Sequence, residues 1–317
     1  MQKTKKFSSL RELMILGVVV LVFIIMTFSS EYFLNWDNLL ALMLGLSLDA
    51  IMVIGMTNLM VSGGFDMSIG SVVGLSGAVT ATLIKIGLPV PLCIIGGLLT
   101  GIIIGGINGF VVAKLGINPF VTTLAMLNMA RGLLLVLTNG KNVSGLPDNF
   151  IWIGQSKIGM IQLPIIFAII LIIIGDILLR KSRFFRQNYF IGGNEKAAIL
   201  SGIHVTSIKI FNYMFMGLLA AFSGIILTAR LGSASTTAGQ GQELKVITAV
   251  IIGGASLAGG EGTILGAFLG TFLMAMITNA MTLLNVSVYW QTFVIGLTLL
   301  IAVLIDRFGK SRGESRK

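Results

Sequence analysis

The sequence predicts an all-α integral membrane protein with about ten transmembrane helices, and three observations carry that prediction. Its 317 residues are 55% hydrophobic and only 11% charged, with a mean hydropathy of +0.98, whereas soluble domains carry about 25% charged residues. Apolar runs recur between residues 13 and 305, most of them near the roughly 20 residues that cross a hydrocarbon core of about 30 Å. The 22 Lys and Arg residues are clustered: four in the N-terminal tail (Lys3, Lys5, Lys6, Arg11), six from Arg180 to Lys209 and five from Arg307 onward.

That clustering reads the net charge of +10 as the positive-inside bias of a membrane protein, not as affinity for nucleic acid. It places 1–12, 181–209 and 307–317 in the cytoplasm, with 13–306 as the membrane domain. The run 13–30 holds 18 uncharged residues and leads into "SSEYFLNW", which lacks a small-residue cleavage site. It is therefore read as an uncleaved first helix and not as a signal peptide. Further spans are expected at 39–61, 68–86, 90–114, 119–138, 162–180, 210–230, 245–257, 263–284 and 289–305; the eighth is short enough to be re-entrant. Ten crossings return both termini to one side and put the basic loop there too. Trp36, Trp152 and Trp290 all fall beside loops that this count places outside, where an aromatic belt is expected. Cys93, alone in an apolar run, leaves no intrachain disulfide to form.

Gly97, Gly101, Gly105 and Gly109 recur every fourth residue, as do Gly262, Gly266 and Gly270. This spacing sets small residues on one helix face, either for close packing in lipid or as a lumenal stripe. "GGFDMSIGSVVG" (63–74) and "GGASLAGGEGTILG" (253–266) look alike, and so do "NGFVVAKLGINPF" and "NAMTLLNVSVYW". The two pairs have different offsets, so they do not define a single repeat.

Catalytic chemistry is not legible. No phosphate loop precedes "GKS" at 309–311. His204, the sole histidine, has no second His or Cys nearby to make a metal site and is read as a solvated loop residue. Among ionisable residues inside spans, Asp49 and Arg131 are functional candidates, while Asp176 stands four residues before Arg180, as an interfacial ion pair requires. A structural Asp49 is expected to tolerate Asp49→Asn at a loss of about 1 kcal/mol. Asp66, after a Gly-Gly break, suits capping of the next helix.

In "IGGNEKAAILSGIHV" (191–205), Asn194 is a preferred N-cap, Glu195 complements a helix N-terminus and Gly202 suits a left-handed C-terminal position. Such a short helix at 194–202 is not stable alone. Its small Ala197 and Ala198 offer a flat face for docking into a partner's groove; the alternative is a helix lying on its own membrane domain.

These stretches, with "TAGQGQELKVITAVIIGGASLAGGEGTILGAFLG" and "LGINPFVTTLAMLNMARG", resemble the membrane permease subunits of ribose-type monosaccharide ABC importers over about residues 33–306. "GGFDMSIGS" carries Phe65 and Met67 where that family has Ile and Leu, and keeps Asp66 and Ser68. The resemblance implies the ten-helix permease fold of vitamin B12-type importers. It also implies a coupling helix comprising Gly192, Gly193, Asn194, Glu195, Ala197, Ala198 and Gly202 that contacts an ABC ATPase subunit. ATP and Mg would bind that partner and no cofactor this chain. A second permease copy or a homologous permease, an external solute-binding protein, membrane lipid and a bacterial inner-membrane location complete the picture, with transport by alternating access. A neutral polyol needs hydrogen-bonding groups, so Asn58, Ser62, Asp66, Ser68 and Asn108 are candidate path residues, with helix bridging as their alternative role. The rival reading is a proton-coupled secondary transporter using Asp49 and Arg131 without an ATPase.

Overall fold

The computed structural model describes the backbone of residues 2–314 and the side chains of 12–306. The basic side chains assigned to the two tails lie outside the described residues. In chain order the first seven helices are α1 (Gln2–Ser29), α2 (Trp36–Val61), α3 (Ile69–Lys85), α4 (Val90–Ala113), α5 (Pro119–Thr138), α6 (Asp148–Gln155) and α7 (Leu163–Lys181). Then follow α8 (Arg183–Gly193), α9 (Glu195–Leu200), α10 (Val205–Leu231), α11 (Gln242–Ile252), α12 (Ile264–Leu283) and α13 (Val288–Glu314).

Eight of these, all but α3, α6, α8, α9 and α11, are long and apolar enough to cross a membrane. The third and eighth expected spans are helices, but shorter ones, of 17 and 11 residues. Eleven residues rise only about 16 Å, so α11 does not span by itself. Glycine sets its end: Gly254 takes φ +90°, and the Ala255 N–H turns back to the Val250 carbonyl at 3.1 Å. The apolar run read through to 257 is thus helix only to Ile252.

α2 and α10 form the centre. From Ser47 to Val61 every α2 residue is buried, and α10 packs on α2, α3, α4 and α6. The first glycine stripe explains the approach of α4 to α10. A Cβ on Gly101 would strike the Gly217 carbonyl, one on Gly105 the Tyr213 carbonyl, and one on Gly109 would lie 2.8 Å from Ile210 Cα. On α12, Gly266 and Gly270 abut the carbonyls of Gly253 and Ala249 in the same way. Gly262, at φ +144° before the Thr263 N-cap, lies outside α12 and off this face; the helical glycines of both stripes are packing surfaces, which lets backbones meet in lipid. α1 packs through Val19 and Met26 against Leu273 and Met276 of α12. Leu21, Ile103, Val136, Ile173 and Leu300 are exposed on outer faces, as lipid contact requires.

The loops sort into two ends. At one, β1 (Val143–Ser144) pairs antiparallel with β4 (Ser233–Ala234), β2 (Lys157–Ile158) pairs with β3 (Ile161–Gln162), Lys85 donates to the Gly145 carbonyl at 2.9 Å, and Gln155 donates to the Arg230 carbonyl at 2.8 Å. At the other, Thr263 donates to Glu12 at 2.6 Å, Arg180 pairs with Glu12 at 3.3 Å, and the Gly260 N–H donates to the Val61 carbonyl at 2.9 Å. The Trp152 loop and the basic loop therefore occupy opposite ends, as their residue types suggested.

Candidate coupling site and the polar clusters behind it

The basic loop folds into two helices. α8 is amphipathic, burying Phe185, Asn188 and Ile191. Gly192 and Gly193 form its last turn, one helix earlier than the sequence reading placed them. Asn194 then breaks the chain at φ −160°, ψ 101°, and its Oδ1 accepts from the Ala197 N–H at 3.0 Å, the N-cap bond expected. Lys209 Nζ meets Glu195 at 2.7 Å. At the far end Gly202 has φ +80°. Its N–H donates to the Ile199 carbonyl at 3.0 Å and that of Ile203 to the Ala198 carbonyl at 3.1 Å. These are the two bonds of a Schellman cap, closed by contact between Ile203 and Ala198.

The flat alanine face is a correction. Ala198 is only 3% exposed and packs on Ile191, Val205 and Ile208, because a helix too short to stand alone uses its small side to lie on its own domain. What α9 offers outward is Ile199 (57% exposed) and Leu200 (89%), with Phe190 of α8 nearby. Ala197 stays exposed and lines, with Phe190, Asn194 and Ser201, an open cleft of about 430 Å³. His204 is exposed at the start of α10.

The five candidate path residues are all buried and fall into two clusters. In one, Asp66 Oδ1 accepts from the Ser68 N–H at 2.7 Å and the Ser68 hydroxyl at 2.6 Å, while Asn108 Nδ2 donates to Ser68 Oγ at 3.0 Å. Asp66 thus fastens the backbone where α3 begins; the N-cap position itself is Ser68. In the other, Asn58 and Ser62 of the α2 end join Asn188 of α8 and Asn212 of α10. Asn212 Nδ2 donates to Asn188 Oδ1 at 2.9 Å and to Ser62 Oγ at 3.3 Å, and Asn188 Nδ2 to Asn58 Oδ1 at 3.4 Å. Asn212 was visible as a polar residue inside an apolar run; Asn188, in a polar stretch, gave no signal.

Asp49 and Arg131 are given separate partners. Asp49 lies 2.6 Å from Lys245 of α11, an intramembrane cation that the count of charged span residues overlooked. The expectation that Asp49→Asn is nearly harmless is therefore corrected, since the amide would strand a lysine. Arg131 donates to the carbonyls of Thr236 (3.0 Å) and Ala238 (2.8 Å), pinning the segment between β4 and α11. Asp176 pairs with Arg180 at 2.7 Å, as its spacing indicated. Among the described residues no three His, Cys, Asp or Glu side chains stand together as metal ligands.

A sequence model of the family described as "branched-chain amino acid transport system / permease component" matches residues 38–303. The chain belongs to this family. The permease is 42% identical to the ribose import permease protein of Bacillus subtilis (strain 168) over 294 residues, 92% of this chain and 91% of that protein. It is 39% identical to the Escherichia coli (strain K12) ribose import permease, covering 92% of each. With the L-arabinose transport system permease of the same organism it shares 37%, covering 92% and 89%. No solved structure matches it. The capped helix and both polar clusters lie inside the matched region, so the permease is a transport subunit whose polar sites sit in its membrane domain.

Proposed function

We infer that this permease moves a ribose-like monosaccharide into the cytoplasm by alternating access, driven by a separate ABC ATPase. The observation that carries the reading is full-length similarity at about 40% identity to permeases named for ribose import. α9 is the coupling helix, and its contact with the ATPase is made by Ile199, Leu200 and Ala197 on the exposed side, with Asn194, Glu195 and Gly202 holding its shape. ATP and Mg act on that partner. A second permease copy or a homologue completes the pathway, and an external solute-binding protein delivers sugar. The chain sits in the bacterial inner membrane with the α8–α9 end and both termini cytoplasmic. Ten passages in the manner of vitamin B12-type importers are supported by α3, whose 17 residues run to Lys85 at the β1–β4 end, and by α11, which the Asp49–Lys245 pair sets inside the membrane domain. Buried amides and hydroxyls suit an uncharged polyol, with Asn58, Ser62, Asp66, Ser68 and Asn108 shaping the path.

Reconstitution in liposomes tests this. With the ATPase and binding protein, ribose uptake should require ATP; with the permease alone, a pH gradient should drive none. Uptake by the permease alone on a pH gradient would favour the proton-coupled reading, which needs Asp49 and Arg131 free of the partners they now hold.

A further inference from the structure

Three successive ties leave the inward face of α8. Asn188 bridges Asn58 of α2 and Asn212 of α10, and is itself fully buried. Tyr189 donates its hydroxyl to the Gly262 carbonyl at 2.7 Å, and burial pushes that phenol up to about 12, so it remains a donor at every physiological pH. Gly192 lies so close to the chain that a Cβ there would run into the Val61 carbonyl and the Gly260 N–H. Reciprocally, a Cβ on Gly259 would lie 2.8 Å from Gly192 Cα. The end of α2 at Val61, the 253–262 segment and α8 therefore meet at one point, joined by the Gly260 to Val61 bond at 2.9 Å, just before the bend that opens at Gly63. The 62–68 and 253–262 segments are bends between helices: Gly63, Gly254, Gly259, Gly260 and Gly262 all have positive φ. A rigid helix fastened to the end of another helix and to a hinge transmits displacement to both.

We propose that Asn188, Tyr189 and Gly192 are positioning residues that clamp α8 to the end of α2 and to the 253–262 hinge, so that motion of α9 is passed to α2 and to the α11–α12 pair. This rests on the ATPase-driven reading above and adds the route by which force enters the membrane domain. Asn188 and Tyr189 are not assigned to the ATPase contact, and Gly192, which the family resemblance placed there, packs on Val61 and Gly260 instead, so their loss separates coupling from docking.

The test uses the full permease with its ATPase and binding protein in liposomes, and measures ribose imported per ATP hydrolysed. Tyr189→Phe should keep the ATPase bound and hydrolysis running while the ratio falls about fivefold, as loss of one hydrogen bond implies; Asn188→Ala should lower it tenfold or more. Gly192→Ala should act likewise, and if it fails to insert, the two milder variants still decide. In the permease by itself, hydrogen exchange of the 253–262 amides should quicken in Tyr189→Phe and Asn188→Ala while that of the middle of α10 is unchanged. An unaltered ratio, a proportional fall of uptake and hydrolysis, or loss of the ATPase would overturn the clamp. Absence of ATP-driven uptake by the wild type would instead overturn the functional reading, and unaltered exchange in 253–262 would then dispose of the clamp separately.

Discussion

Lys245 and Asp49 show how a single side chain changes an argument. An aspartate alone in a span invites a proton-relay role; one at 2.6 Å from a lysine on the neighbouring helix is half of a buried ion pair. Removing one member of such a pair leaves an uncompensated charge, which costs about 3 to 5 kcal/mol when fully buried and less for Lys245, whose side chain is 20% exposed. Asp49→Asn should therefore lower the thermal unfolding midpoint of the detergent-purified permease, and Asp49→Leu with Lys245→Met should recover most of it. Equal midpoints for wild type and Asp49→Asn would sink the ion-pair account. Gly202 is a second residue-scale case. At φ +80° with nothing within 4 Å of a Cβ, Gly202→Val meets strain and no clash, worth about 1 to 2 kcal/mol. Its effect should be confined to α9: unchanged membrane abundance, several-fold weaker co-purification of the ATPase, and reduced uptake. His204→Ala, beside it but exposed, should leave both measures near wild type.

At the scale of elements, α9 is six residues long and exists because both its ends are capped and its small side rests on Ile191, Val205 and Ile208. The exposed Ile199 and Leu200 then stand outward with no partner inside the described chain's core clusters. Large apolar groups left in water at a capped helix are suited to a partner's groove. Leu200→Asp should abolish retention of the ATPase on the purified permease while leaving its insertion and thermal midpoint intact; normal retention would remove α9 from the coupling role. Ala198→Arg belongs to a different class, because it would force a charge among buried apolar side chains and damage the loop itself.

For the whole molecule, the two-ended sorting of loops gives a topology test. In a Cys93→Ala background, a cysteine at Lys157, exposed in the β2–β3 hairpin, should react with an impermeant thiol reagent in intact cells, and one at Arg183, exposed at the start of α8, should not. The reverse pattern would invert the orientation.

Much of this was legible from residues alone, for a physical reason. Helix existence depends on apolar length and on the absence of alternatives for the backbone in lipid, so each of the ten expected segments contains a helix, the eighth only as far as Ile252. Caps depend on neighbours within a few residues, so Asn194 and Gly202 declared themselves. Glycines every fourth residue announced close packing, although only the fold names Gly217, Tyr213 and Ile210 as what lies opposite. What the tertiary structure alone decided are contacts between residues far apart in the chain: Asp49 with Lys245, Asn188 with Asn58 and Asn212, Arg131 with the carbonyls of 236 and 238, and Gly192 with Val61 and Gly260. It also decided that Ala198 faces inward and that α11 stops after eleven residues. Local sequence fixes which conformation a segment prefers; which side chains then satisfy one another's polar groups is set by how the helices pack, and no periodicity records it.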